Sequence, residues 1–247
     1  MQKAFLLLLL SVEAIYALIS IVPVEQGEKV GLSGQMSASL STKRGNSNTD
    51  SYKGGARIAY DNNTSYVTWG ELSGEYGEAN DVKNVQKIYL HYRFIQNLSD
   101  KFHVGELFLQ SQEDEFKQIQ KRRLVGVGYR QRLLRDYFPL KCFVGLGGFY
   151  EYISYTTNDP REDNSRFNGY IAFTYPTKSV EFSFTSYYQP KFDDFNDFVT
   201  ANKIELKIHL IEKLYLTFKV SYDYDSNPPS GVEKYDFYQD TAFLYEF

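Results

Sequence analysis

The chain has 247 residues, enough for one domain, and carries a formal net charge of -4. An acidic chain has no positive field to hold a phosphate backbone, so nucleic acid is excluded as an expected partner. Its one cysteine, Cys142, excludes an intramolecular disulfide framework and a cysteine-rich zinc site. We expect this thiol at a small buried or lipid-facing apolar position.

Aromatic residues are unusually frequent, at 17% of the chain, and almost all of them are Tyr or Phe. Membrane barrels place such rings at both lipid–water interfaces. The mean hydropathy of -0.43 excludes a bundle of membrane helices. It does not exclude a barrel, because each strand alternates lipid-facing residues with polar lumen-facing ones.

The N-terminus predicts an export signal. A basic start at Lys3 precedes the apolar run 4–10, and Ala17 offers a small residue for cleavage. The alternative is a membrane anchor, but Glu13 and Pro23 interrupt the stretch before it reaches about 20 apolar residues. We therefore expect a cleavable signal peptide at 1–17, a periplasmic tether at 18–30 and a barrel domain at 31–247.

Beyond the tether, alternation of apolar and polar residues recurs between turn signals and predicts consecutive antiparallel strands. The clearest case is the segment 214–224, where Leu216, Phe218 and Val220 alternate with Thr217 and Lys219. The predicted strands are 31–41, 50–61, 64–75, 84–96, 101–111, 119–132, 140–153, 166–176, 179–190, 198–210, 213–225 and 234–247.

The predicted connections alternate between short and long, as periplasmic turns and external loops do in outer-membrane barrels. An even strand number with both termini on the periplasmic side lets the first strand pair with the last and leaves no open edge in lipid. A soluble lipocalin-like barrel would have eight strands without this order. The sequence therefore predicts an all-β, closed antiparallel transmembrane barrel of about twelve strands, located in a Gram-negative outer membrane.

The C-terminal strand ends in Asp240-Thr-Ala-Phe-Leu-Tyr-Glu-Phe247 and resembles the assembly signal of outer-membrane proteins. The resemblance assigns signal positions to Asp240, Ala242, Tyr245 and Phe247, with Phe243 on the same strand face as the last two. Ala242 stands where glycine is expected. Such a signal implies recognition by the barrel assembly machinery; the alternative is an ordinary amphipathic strand that ends at Phe.

Gly31–Tyr60, with Leu32-Ser-Gly and Arg44-Gly-Asn-Ser-Asn-Thr49, resembles the salt-induced outer-membrane protein family, which is defined by a domain of unknown function. Gly126-Val-Gly-Tyr-Arg130 and Val144-Gly-Leu-Gly-Gly148 extend the resemblance, which spans 31–247. Membership implies an outer-membrane barrel and induction by salt stress. It transfers no catalytic residue.

Charged residues on the polar strand faces are expected to line the lumen: Lys53, Arg57, Arg93, Arg130, Lys141, Glu151, Glu181, Glu205, Lys207, Lys219 and Asp223. Such a mixture can line a selective pore or neutralise itself in a salt-bridged plug. A barrel of this width permits both. Two functions stay open, namely a narrow passive channel linked to osmotic or envelope stress and a non-conducting structural or surface-interaction barrel.

An outer-membrane phospholipase is a third and weaker alternative, because it requires a Ser–His pair facing lipid. We expect His91, His103 and His209 to face the lumen near periplasmic strand ends, with hydrogen bonds to polar groups or water. A metal pair formed by His91 and His103 would need a carboxylate as a third ligand. No nucleotide, haem or flavin motif is present, so no cofactor and no enzymatic activity are expected.

Acidic residues concentrate in the predicted external loops, at Glu113, Asp114, Glu115, Asp159, Glu162, Asp163, Asp193, Asp194 and Asp197. They predict a solvated acidic surface. The alternative function is to bind divalent cations that bridge to lipopolysaccharide. The expected partners are therefore outer-membrane lipid, lipopolysaccharide and the assembly machinery.

Overall fold

The structure is a computed structural model, which describes residues 23–43, 49–79, 82–115, 117–134 and 139–247. The predicted signal peptide, residues 18–22 of the predicted tether and residues 44–48 of the family resemblance lie outside these ranges. Within the described part of the chain, no helix is long and apolar enough to cross a membrane.

In the described ranges, twelve antiparallel strands form one closed barrel, in which each strand pairs with the next and the last pairs with the first. The strands are β1 (Gly31–Lys43), β2 (Thr49–Asp61), β3 (Tyr66–Ala79), β4 (Val82–Asp100), β5 (His103–Asp114), β6 (Ile119–Leu133), β7 (Lys141–Tyr155), β8 (Glu162–Pro176), β9 (Val180–Pro190), β10 (Phe198–Ile211), β11 (Leu214–Asp225) and β12 (Tyr235–Glu246). The predicted fold class is confirmed.

The two ends of the barrel differ in their connections. The short turns 62–65, 101–102, 177–179 and 212–213 lie at the end that also holds residues 23–30 and Phe247, whereas the other end has the longer connections 156–161, 191–197 and 226–234 and one short turn between β5 and β6. In outer-membrane barrels the short turns are periplasmic and the long loops extracellular. We name the two ends of this barrel periplasmic and external accordingly.

Three strand boundaries were wrong by four residues, and the first is the end of β3, which lies at Ala79 rather than at 75. β4 continues past residue 96 because Asn97 pairs with Val104 and Asp100 pairs with His103, so the turn lies at 101–102. The carboxylate of Asp100 stabilises that turn by accepting a hydrogen bond from the His103 N–H at 3.0 Å. β8 begins at Glu162 rather than at 166, because its first residues pair with the external end of β7.

Alternating side chains divide each strand into an inner and an outer face. On β5, Glu106, Phe108 and Gln110 point inward and are buried, whereas Leu107 and Leu109 point outward and are 38% and 44% exposed. The other strands expose apolar side chains outward in the same way, including Leu32, Leu72, Val127, Leu146, Ile171 and Ile204. An apolar surface that surrounds the whole barrel is stable only against lipid.

Pairs of neighbouring aromatic rings mark both ends of this apolar band. Near the periplasmic turns, the rings of Tyr66 and Phe94 lie 5.5 Å apart. Near the external loops, the rings of Tyr188 and Phe198 also lie 5.5 Å apart. Girdles at both interfaces are typical of transmembrane barrels, and they account for the aromatic excess of the sequence.

The seam between β1 and β12 closes the barrel with a short ladder. Four residue pairs join the strands, from Gln35–Glu246 to Ala38–Phe243. Gly34 and Phe247 extend the ladder by exchanging backbone hydrogen bonds of 2.9 Å in both directions. The Phe247 ring covers Gly34 so closely that a Cβ atom there would lie 2.4 Å from it. The terminal residue is therefore part of the closure.

Candidate functional site

The lumen is divided lengthwise into a packed half and an open half. The packed half is a cluster of inward aromatic and aliphatic side chains, chiefly Trp69, Phe108, Leu124, Phe143, Phe149, Tyr170 and Tyr187. These residues come from β3 and from β5–β9 and pack against one another inside the barrel.

Glycines on β6 and β7 make room for this cluster. A Cβ atom at Gly145 would lie 2.1 Å from the Tyr170 ring, and one at Gly126 would lie 2.2 Å from the Phe108 ring. At Gly147 the obstacle is backbone, since a Cβ atom would lie 2.3 Å from a carbonyl oxygen of β6. The glycines in the two later segments of the family resemblance therefore have a packing role.

The carboxylate of Glu106 is the charged centre of the packed half. It lies 3.4 Å from Arg93 and 3.1 Å from Arg130, and the Tyr170 hydroxyl donates a hydrogen bond of 2.9 Å to it. The Arg93 guanidinium also lies 5.3 Å from the centre of the Phe108 ring. Buried charges are stable only when paired in this way, so this layer acts as a structural plug.

A second buried carboxylate, Glu151, lies closer to the external end. Its two oxygens each lie 2.6 Å from an arginine, Arg122 on one side and Arg166 on the other. Arg166 continues to Asp197 in the β9–β10 loop, at 3.0 Å. The ion pairs thus connect the plug to an external loop.

Two acidic residues predicted to be solvated, Asp114 and Asp197, are buried instead. Asp114 accepts a hydrogen bond from the backbone N–H of Lys117, because the β5–β6 turn folds inward. Burial raises the pKa of Asp197, but the hydrogen bond from Lys191 and the charges of Arg166 and Lys191 outweigh it and hold that pKa below its usual value. These carboxylates stabilise loop structure.

The open half is a cavity of about 430 Å³ between β1–β3 on one side and β9–β12 on the other. A row of small inward residues leaves this space: Ser37 pairs with Gly55, which pairs in turn with Ser73. The packed half carries aromatic rings instead of such small residues. The difference in side-chain size between the two walls therefore explains the asymmetry of the lumen.

Charged side chains of both signs line the open half. The structure places seven of the predicted lumen charges there: Lys53, Arg57, Glu181, Glu205, Lys207, Lys219 and Asp223. Arg93 and Arg130 lie in the packed half, as does Glu151, whereas Lys141 pairs with Glu28 at the periplasmic rim. The predicted inner face of the strands is therefore the one that faces the lumen.

Most of these charges form pairs along the walls. Arg57 pairs with Glu71, Lys219 lies 3.8 Å from Glu205, and Lys207 lies 3.3 Å from Glu181. Five further inward charges were not predicted from the sequence, namely Glu71, Glu106, Arg122, Arg166 and Lys203. On β6, three consecutive basic residues at 121–123 concealed which of them points inward, and only the register resolves it.

Residues 23–30, which we call the N-terminal segment, fold into the periplasmic mouth. The Glu25 carboxylate lies 2.6 Å from Arg132, and Arg130 donates a hydrogen bond of 2.8 Å to the Val24 carbonyl. Further contacts join Gly27 to Asp61, Glu28 to Lys141 and Lys29 to Glu246. The described part of the predicted tether thus narrows the entrance to the open half.

Lys117, in the β5–β6 turn, reaches across the external mouth. Its ammonium lies 3.3 Å from Asp236 on β12, which is separated from β5 by β1–β4 around the barrel. Burial, together with the charge of Lys87, lowers the pKa of Lys117 to about 7, although Asp114 and Asp236 act in the opposite direction. This contact therefore bridges two sides of the external mouth.

The histidines do not form a site. His91 points inward at the middle of β4, with its ring 4.9 Å from Trp69, whereas His103 points outward and its Nδ1 lies 2.5 Å from the Tyr129 hydroxyl. The predicted lumen position of His103 was wrong, because alternation along β5 turns it to the outer face. A His91–His103 metal pair is excluded by these opposite orientations. No group of three or more metal-ligating side chains occurs among the residues that the structure describes.

His209 lies at the periplasmic rim, where its Nε2 is 2.9 Å from the Glu212 carbonyl oxygen. Cys142 is a free thiol on the outer face of β7, adjacent to the inward Phe143. The outward position of His103 removes one argument against a lipase site. A non-enzymatic barrel stays a prediction.

An apolar exterior, two aromatic girdles and a charged interior define the class of outer-membrane β-barrels. The chain belongs to the family described as "Protein of unknown function, DUF481", which it matches over residues 36–247. The predicted family is confirmed at this level, and induction by salt stays a prediction. No curated protein matches the chain.

Several solved outer-membrane barrels match this chain in a comparison of structures. The COG4313 outer membrane channel from Pseudomonas putida F1 is 12% identical, with a TM-score of 0.55 over 91% of this chain and 100% of that chain. The NanC porin is 11% identical, with a TM-score of 0.49 over 87% of this chain and 98% of that chain. The translocator domain of the autotransporter NalP from Neisseria meningitidis is 10% identical, with a TM-score of 0.48 over 90% and 89%.

Proposed function

We propose that this protein is a narrow outer-membrane channel for ions and small polar solutes, and that the passage runs through the open half of the lumen. The observation that carries this proposal is the cavity of about 430 Å³, lined by small and charged side chains rather than by a packed core. A volume of this size suits a small solute rather than a polymer.

The charges of the open half support weak selectivity between cations and anions. Lys207 and Lys219 each have a carboxylate within 4 Å, so neither sign dominates the wall. A ring of one sign would instead repel its own ions. The remaining selectivity comes from both signs of charge on the wall and weakens as added salt screens them.

The closures at the two mouths favour a gated channel. Passage requires displacement of the N-terminal segment from Arg130 and Arg132 and of Lys117 from Asp236. A channel that is closed for most of the time fits the role in osmotic or envelope stress that the family resemblance implies. The same closures favour the second candidate function, a non-conducting structural barrel.

Solute flux into liposomes tests the proposal. Purified wild-type protein is compared with a variant lacking residues 23–30 and with Lys117→Met, using stopped-flow light scattering with KCl and small sugars. We expect measurable flux for the wild type and severalfold faster flux for both variants. Folded but impermeable barrels in all three preparations would instead support the structural function.

A further inference from the structure

The outer wall carries a hollow at the external ends of β5, β6 and β7. Three cationic side chains line it, namely Lys121, Arg123 and Arg161, together with Tyr152 and the carboxylate of Glu113. On β6, Arg122 and Leu124 point inward and are buried, so Lys121 and Arg123 belong to the outer face. Register then places Arg123 beside Tyr152 on β7.

These cations differ from the arginines of the lumen. Inward arginines such as Arg93, Arg122 and Arg166 each have a carboxylate within 4 Å. Among the described residues, none of Lys121, Arg123 and Arg161 has an ion-pair partner, and Glu113 is the one carboxylate that lines the hollow. The hollow therefore carries an excess of two positive charges that the protein itself does not neutralise.

The position of the hollow relative to the apolar band identifies its surroundings. Leu109, Val125 and Tyr150 lie immediately below it on the same outer face and are 44%, 46% and 49% exposed. The hollow thus lies one step above the hydrocarbon region, at the external end. Headgroups of the outer leaflet occupy this level, and a tyrosine such as Tyr152 is typical of it.

We propose that Lys121, Arg123 and Arg161 bind a phosphate group of an outer-leaflet lipid, in an outer membrane the phosphorylated lipid anchor of lipopolysaccharide. Arginine forms paired charge-assisted hydrogen bonds with phosphate, and lysine adds a point charge. Basic side chains next to a membrane surface attract anionic headgroups in the same way. This site is independent of whether the lumen conducts.

Binding at this hollow is an alternative to the lipopolysaccharide contact that was predicted for the acidic loops. The acidic loops were expected to bridge to it through divalent cations, but Asp114 and Asp197 are buried in loop contacts. Asp163 accepts a hydrogen bond of 2.6 Å from the Tyr150 hydroxyl. Direct binding by cations needs no bridging ion.

Lipid retention by the purified protein tests the site. The variant Lys121→Gln/Arg123→Gln/Arg161→Gln is compared with wild type and with a charge-matched control, Lys101→Gln/Lys178→Gln/Lys213→Gln, which removes three cations from the periplasmic turns. Folding of each is checked by heat-modifiable migration in gels. Binding of rough lipopolysaccharide in detergent micelles is measured by titration and by native mass spectrometry.

We expect the hollow variant to bind lipopolysaccharide about tenfold or more weakly than wild type, and the control to bind like wild type. An equal loss in the control would show a general charge effect and would overturn the proposal. Inorganic phosphate or phosphatidylglycerol vesicles that bind wild type as tightly as lipopolysaccharide would overturn the assignment of the ligand. None of these outcomes depends on solute flux.

Discussion

The glycines of β6 and β7 show how single residues shape the lumen. Gly126 and Gly145 face inward at positions where any side chain would meet an aromatic ring. Without a Cβ atom at these points, the rings of Phe108 and Tyr170 fit between the strands and fill one half of the barrel. The absence of side chains on two strands thus decides which half is packed.

Gly145→Ala is expected to lower the free energy of unfolding by about 1–3 kcal/mol, because the added methyl group displaces the Tyr170 ring from its stack on Tyr187. Urea unfolding in lipid vesicles measures the change. Gly54→Ala is the matched control, since the nearest atom to its Cβ would be a Ser37 oxygen at 4.0 Å. Equal stability of the two variants would contradict the packing role.

Glu106→Gln is expected to destabilise the barrel by about 3–5 kcal/mol, because it leaves Arg93 and Arg130 buried without their counter-charge. The control is Glu113→Gln, an exposed carboxylate on the outer face of the same strand. The same unfolding measurement compares them. If Glu106→Gln lowered the free energy of unfolding no more than Glu113→Gln did, this buried cluster would contribute little to the stability of the barrel.

Sequence alternation was sufficient to predict an inward face but not the pairs formed on it. Glu106 was missed because Val104 and Phe108 are also inward, so β5 shows no contrast between a polar and an apolar face. Its partners lie on β4 and β6, and their contact depends on strand register. Register follows from turns and packing, which a single sequence specifies only indirectly.

Among the strand pairs of the barrel, the β1–β12 seam has the shortest ladder of paired residues. It has four paired residues plus the Gly34–Phe247 exchange, whereas β1 and β2 pair over thirteen residues. The seam therefore depends strongly on its last residue. Phe247 supplies two backbone hydrogen bonds and an aromatic ring that covers Gly34.

Deletion of Phe247 is expected to reduce insertion severalfold, because it removes both hydrogen bonds and the predicted terminal aromatic of the assembly signal. The heat-modifiable fraction in isolated outer membranes measures insertion. Phe247→Tyr keeps the backbone and the ring and serves as control. Unchanged insertion after the deletion would remove the assembly role from this residue, and equal losses in both variants would point to a requirement for phenylalanine itself.

The β5–β6 turn is the element expected to respond to pH. Lys117 has a pKa of about 7 when buried beneath the external mouth, against an ordinary value of 10.5 when exposed. The closed form buries Lys117 and the open form exposes it, so the open form binds more protons at pH values between these two pKa values. Flux should therefore rise as pH falls from about 10.5 to about 7, by up to about tenfold per pH unit. Below pH 7 both forms carry the charge and the dependence ends.

Lys87, Asp114, Asp223 and Asp236 face Lys117 from β4, β5, β11 and β12, so their titration must be separated from its own. Lys117→Met provides that control, because it removes one titrating group and keeps the others. Liposome flux recorded across this pH range compares the two proteins. The same pH slope in Lys117→Met would assign the response to the other facing groups, Lys87 included.

The predicted elements differed from the structure mainly at their ends. Alternation identified twelve strands, but Asn97 and Asp100 were expected in a turn and instead extend β4. Residues 23–30 were predicted to be a tether because their contacts are with residues distant in sequence, such as the contact between Glu25 and Arg132. Local patterns do not contain such contacts.

At the scale of the whole molecule, the barrel combines the two interiors that the sequence left as alternatives. One half is a salt-bridged plug around Glu106 and Glu151, and the other is a cavity lined by paired charges. Inward charges of both signs are compatible with a plug and with a cavity, so composition could not distinguish the two interiors. The division arises where aromatic residues face glycines on one side, and where Ser37, Gly55 and Ser73 face the lumen on the other.

Single-channel recording in planar bilayers tests the passage through the open half most directly. The wild type is compared with Ser37→Phe/Ser73→Phe, which fills the cavity, and with Ala38→Phe/Ile58→Phe, which adds the same rings at exposed outer positions that do not line the cavity. We predict discrete conductance steps for the wild type and the outer-face control, and their loss in the cavity-filled variant. A folded wild type that stays silent, or steps that persist after the cavity is filled, would contradict the account.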